Sequence, residues 1–215
     1  MDMSIALILG QDGITNGAIY ALLALALVLV FAVTRVIFIQ QGEFVAYGAL
    51  TLAMMQSGAT PATVWLLVAM GGLVTAFDGL KALKAGQMQR AGMVAGWNLA
   101  YPLALVAVLS ALPVNELPLV LQVVLTLAIV VPMGPMMYRL MYQPIASAPV
   151  LILLIVSVAL HIAMVGLGLL FFGAEGHRTP AFSELSFDLG PLMVTGQTIW
   201  VLVVSVLLIV ALYQF

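Results

Sequence analysis

The feature that most constrains this chain is a succession of long apolar runs, each close to the thickness of a bilayer's hydrocarbon core and each nearly free of charge. A core of about 30 Å takes about 20 residues of helix. On that measure seven stretches stand out: Ile14 to Val33, Gly42 to Gln56, Ala62 to Phe77, Gly92 to Leu112, Leu117 to Tyr138, Val150 to Phe172 and Thr195 to Tyr213. A tight turn is expected over Ser57 to Pro61, and Pro113, Pro118, Pro144, Pro149, Pro180 and Pro191 fall at segment ends, where a missing amide donor costs least. The runs are continuous and do not alternate, so they read as helices and not as strands of a lipid-facing barrel. The predicted fold class is all-α, a polytopic transmembrane bundle of about seven spanning helices. No tandem repeat or composition shift divides residues 1–215, which read as one transmembrane domain.

Composition agrees. With 65% hydrophobic and 7% charged residues and a mean hydropathy of +1.25, too few polar side chains exist to cover a soluble core. Six basic residues scattered along a chain of net charge −2 give no field for nucleic acid, which is excluded as a partner. The absence of cysteine excludes disulfides and thiolate chemistry. The N-terminus carries Asp2 and no basic residue before the first run, so that run reads as a retained span and not as a cleaved leader.

The most polar stretch, Asp78 to Arg90, is expected to be a loop or a surface-lying helix. If it is cytoplasmic, alternation places Arg35 and an Arg139 to Pro149 turn on the same side and leaves only Arg178 outside, in accord with the positive-inside rule. The N-terminus is then external and the C-terminus internal. Glu175 to Asp188, with His177, Arg178 and Glu184, reads as a long external loop able to receive a partner or simply to connect two spans.

No P-loop motif, no Gly-x-Ser-x-Gly elbow and no paired histidine spacing occurs, since His161 and His177 lie on different segments. The chain is therefore expected to be no enzyme, with no metal and no cofactor. His161, in mid-segment, is either a neutral imidazole bonded to a neighbouring helix or a contact for substrate or protons. Glu43, at the head of the second segment, is either a helix-end acid or part of a translocation path. Gly13 with Gly17, Gly92 with Gly96, and Gly166 with Gly168 are expected to permit close helix packing.

Two blocks carry a family resemblance. Asn16-Gly17-Ala18-Ile19-Tyr20-Ala21-Leu22 followed by Gln41-Gly42-Glu43-Phe44, and then Tyr142-Gln143-Pro144-Ile145 with Ala148-Pro149, Leu160 and Phe172-Gly173, resemble branched-chain amino acid ABC importer permeases of the LivH type. Phe38 and Gln41 stand where that family often has Asn and His. The resemblance implies a permease subunit of the bacterial inner membrane whose pathway or gate involves Asn16, Tyr20, Gln41, Gly42, Glu43 and His161. It also implies cytoplasmic ATPase subunits, a second permease subunit and a periplasmic substrate-binding protein as partners. The stretch from about Asp78 to Leu125 would be an added helical pair. Family permeases continue into a coupling helix beyond the point reached by Phe215, so the chain looks like the front part of a permease. The alternatives are a non-transporting membrane scaffold or assembly subunit and an ion-coupled transporter.

Overall fold

A computed structural model of the chain describes residues 3–84, 86–177, 179–183, 185–189 and 192–214. Asp2, Arg178, Glu184, Pro191 and Phe215, on which parts of the topology and loop expectations rest, lie outside the described residues. The structure is 79% helical, so the chain is an all-α helical bundle. Its helices are α1 (Met3–Thr34), α2 (Gln41–Gln56), α3 (Thr63–Lys84), α4 (Met88–Ala95), α5 (Tyr101–Ala111), α6 (Leu119–Met137), α7 (Val150–Phe172) and α8 (Gly196–Gln214). All seven apolar stretches are helical, and five helices are long and apolar enough to cross a membrane. The protein is accordingly a transmembrane protein. Two stretches are shorter than the seven-span expectation requires: α2 has 16 residues, and α4 and α5 are joined through a π-helical turn at Gly96–Ala100.

Several boundaries differ from the hydropathy reading. The Asp78 to Arg90 stretch is mostly no loop, because α3 runs on through Asp78 to Lys84 and α4 starts at Met88. Leu, Lys and Ala in this extension are strong helix formers, and polar side chains end a lipid-facing surface without ending a helix. Likewise α6 passes into a π-helical turn at Tyr138–Tyr142 and a 3-10 turn at Gln143–Ile145, leaving only a short bend before Pro149. α1 begins at Met3, well before Ile14. The connector ahead of α8 contains a hairpin, β1 (Ser186–Leu189) paired antiparallel with β2 (Leu192–Thr195), in the register Ser186 to Thr195.

Contacts divide the chain into two compact units, Met1–Phe38 with Pro180–Phe215, and Ile39–Thr179. In the first, α1 lies against α8, and Gln11 Nε2 donates to the Met193 carbonyl at 3.3 Å. Thr195 Oγ1 accepts the Thr198 amide at 3.3 Å, capping α8. Beyond Asn16, α1 is apolar all round up to Val33 and broadly exposed, with Val28 at 63% and Val33 at 74%; in a bilayer such a surface faces lipid or another helix.

The second unit is built on α3 and α6. α3 touches α4, α5 and α6, and α2 packs on α6 and α7. Met55, Val64, Leu67, Ile129 and Met133 are fully buried between them. Thr51 and Thr63 share a hydrogen bond of 2.8 Å across α2 and α3, and Gly58, at φ 78°, turns the chain between these helices. Backbones approach closely at Gly71, where a methyl group would overlap the Asn98 carbonyl oxygen. Asn98 lies in the π turn four residues before Pro102, which supplies no amide to that carbonyl and bars a regular α-helical turn there.

Candidate functional site

In a chain with so few polar side chains, their placement locates the site. On α7, Ser157, His161, Met164, Gly168 and Phe172 recur at helical spacing and form one stripe. Along α2, Gln40, Glu43, Tyr47 and Thr51 form another. These stripes meet within the second unit. Tyr47 donates its hydroxyl to the Met164 carbonyl at 2.8 Å and sets its ring edge-on to Phe172, with centroids 5.6 Å apart. A Cβ at Gly168 would stand 3.6 Å from the Tyr47 ring, so the absence of a side chain there admits the phenol.

Toward the start of α2 the seam becomes polar. Gln40 is fully buried; its Nε2 donates to the Tyr142 hydroxyl at 2.5 Å, and that hydroxyl lies 2.8 Å from Ser157 Oγ. One helical turn along each helix, His161 Nδ1 approaches Glu43 Oε1 to 2.7 Å. The approach is short but its angle lies outside hydrogen-bonding geometry, and the contact is an ion pair only when the imidazole is protonated. The Glu43 side chain is 15% exposed and that of His161 40% exposed, so the pair lies at the edge of the packed helices. Glu43 is the acid of the first turn of α2, where the helix dipole favours negative charge. Two buried acceptors in this cluster, Gln40 Oε1 and Glu43 Oε2, have no hydrogen-bond partner among the described residues. Such atoms are costly in an apolar interior and are suited to a donor brought by water or solute.

The structure thus brings Glu43 and His161 together and places Gln41 and Gly42 beside them on α2. Asn16 and Tyr20 lie on α1, in the first unit, both exposed. Among the described residues no other element comes within 4 Å of a Cβ added at Gly13, Gly17, Gly92, Gly96 or Gly166, whereas Gly168 has Tyr47 against it. Sequence reasoning passed over Gln40, Tyr142 and Ser157 as site residues. The available signal was helical phase, since Ser157 precedes His161 by one turn and Gln40 precedes Glu43 by one. Among the described residues no group of acidic, histidine or cysteine side chains could hold a metal ion.

The class defined by these features is a transmembrane helical protein with a polar seam between two of its helices. Compared with protein-family models, curated proteins and solved structures, the chain gives no match.

Proposed function

We propose that this chain is a permease subunit of the bacterial inner membrane. It helps carry branched-chain or related amino acids inward, together with a second permease chain, a periplasmic substrate-binding protein and separate cytoplasmic ATPase subunits. One observation carries the reading: the neighbourhoods of the two blocks that resemble LivH-type permeases meet in space, Gln40, just ahead of the Gln41–Phe44 motif, bonding Tyr142 of the second block, and Glu43 of the first approaching His161 on the helix that follows the second. The chemistry suits a zwitterion. Glu43 and the unpartnered carbonyl of Gln40 can accept from an ammonium group, while a carboxylate is favoured at the N-terminal end of α2 and beside His161. Branched side chains suit the apolar remainder of the seam. Access to the seam alternates by rigid movement of helices about it.

The test is uptake of labelled leucine by proteoliposomes holding this chain with its partner subunits, measured with and without ATP. Glu43→Gln should lower uptake about 10- to 150-fold, the equivalent of losing a charged hydrogen bond of about 1.5–3 kcal/mol, in a complex that still assembles. Uptake that ignores ATP but follows a proton gradient would favour the ion-coupled reading, to which the Glu43–His161 contact lends support. Assembly without uptake of any amino acid would leave the scaffold reading. For orientation we propose an external N-terminus and an internal C-terminus; a cysteine at Ser183 should then react with impermeant thiol reagents on intact cells.

A further inference from the structure

We propose that a groove between the α4–α5 helical segment and the proline-bearing end of α6 holds an anionic phospholipid of the surrounding bilayer, with its head group on Arg139. The groove encloses about 390 Å³, and its lining includes Trp97, Tyr101, Pro132, Pro135, Met136 and Arg139. That volume sits at the small end of the roughly 300–1,000 Å³ of ligand pockets, enough for a head group and its glycerol with the acyl chains lying outside. The shape follows from the sequence. The π turn at Gly96–Ala100 widens one wall, and Pro132 and Pro135 interrupt the regular α-helical bonding of the other.

Its chemistry is divided along its length. Met136, the proline rings and the ring of Tyr101, whose hydroxyl is given to Ala128, make an apolar floor, while Trp97, at 71% exposure, offers a ring with a polar edge, as side chains at head-group depth do. Arg139 supplies the charge. Among the described residues it has no acidic partner and no side-chain hydrogen bond. Arg139 is exposed in the π-helical turn that follows α6, and a phosphodiester offers it two acceptor oxygens that match the fork of the guanidinium. The occupant is a lipid because the exposed surface of this protein is lipid-facing, and because the groove is a cation set against apolar walls, which is the pattern of an anionic amphiphile.

Trp65→Phe and Trp200→Phe leave Trp97 as the sole tryptophan in the full chain, reconstituted into mixed bilayers. Quenching of Trp97 by brominated phosphatidylglycerol is then compared with quenching by brominated phosphatidylcholine at equal mole fraction. A preference of about fivefold for the anionic lipid is expected, corresponding to ~1 kcal/mol for one basic residue at the surface. Arg139→Gln should bring the two lipids to parity, whereas Arg139→Lys should retain part of the preference. Equal quenching by the two lipids in the parent protein, or a preference that survives Arg139→Gln, overturns the proposal. The comparison in the parent protein is decisive by itself, since it depends on no substitution at Arg139.

Discussion

The hydroxyl of Tyr101 donates to the carbonyl of Ala128 at 2.7 Å, and this is the acceptor that α6 cannot serve itself, because Pro132 stands four residues on without an amide hydrogen. A phenol on one helix thus completes the backbone bonding of another. Tyr101→Phe should destabilise the protein by about 0.6–1.7 kcal/mol, the range found for hydrogen bonds between membrane helices. In a Pro132→Ala background, where the amide is restored, the same substitution should cost clearly less. Melting of the four proteins in detergent gives the coupling directly; an equal loss in both backgrounds would refute the compensation.

Gly71 and Gly72 are neighbours with opposite surroundings. A Cβ at Gly71 meets the backbone oxygen of Asn98, which cannot swing aside as a side-chain tip would, while Gly72 has no atom within 4 Å. Gly71→Ala should therefore lower stability by about 1–3 kcal/mol, as overpacking does, and Gly72→Ala should be neutral or better. Similar melting temperatures for the two variants would contradict the packing described for α3.

Tyr142 links Gln40 to Ser157 through one hydroxyl. Removing it in Tyr142→Phe takes a buried partner from Ser157 and leaves Gln40 Nε2 only the weak acceptor of the Met137 sulfur at 3.5 Å, with an expected cost of about 1–3 kcal/mol. Ser157→Ala, which leaves Gln40 bonded to the phenol, should cost less. The order of the two, read from unfolding in detergent, is the test, and a reversed order would mean that the phenol is not the hub.

Gly13 and Gly17, whose added Cβ would meet no other element among the described residues, lead to a prediction about assembly. Gly13→Leu and Gly17→Leu should leave melting of the isolated chain unchanged. Under the proposed function they should also reduce capture of the second permease subunit, since a small-residue face admits a close partner helix. A drop in melting temperature of the isolated chain would show that the glycines are used within it.

Helix number and approximate place were legible because membrane thickness fixes the length of an apolar run, and that length survives without any knowledge of tertiary contacts. Helix ends were not. Hydropathy reports where lipid stops, so it left the charged stretch from Asp78 open between a loop and a surface-lying helix and did not show that α3 continues through it to Lys84. Pro132 and Pro135 are visible in the sequence, but whether α6 ends at them or runs on through them depends on packing that hydropathy does not report. Glu43 and His161 were each conspicuous as rare ionisable residues, but their pairing depends on how α2 meets α7, which a single sequence does not encode locally. Gln40 and Tyr142 escaped notice because polar residues near segment ends read as interfacial until the structure shows Gln40 fully buried and Tyr142 at 1% exposure.

The 16 residues of α2 span only about 24 Å of a core about 30 Å thick. If its far end reaches one face of the bilayer, the end bearing Gln40 and Glu43 stops short of the other. Lipid must then thin there, or water must descend to meet it. A helix too short for its membrane would by itself open a dimple over the seam, giving a dissolved solute a shortened crossing.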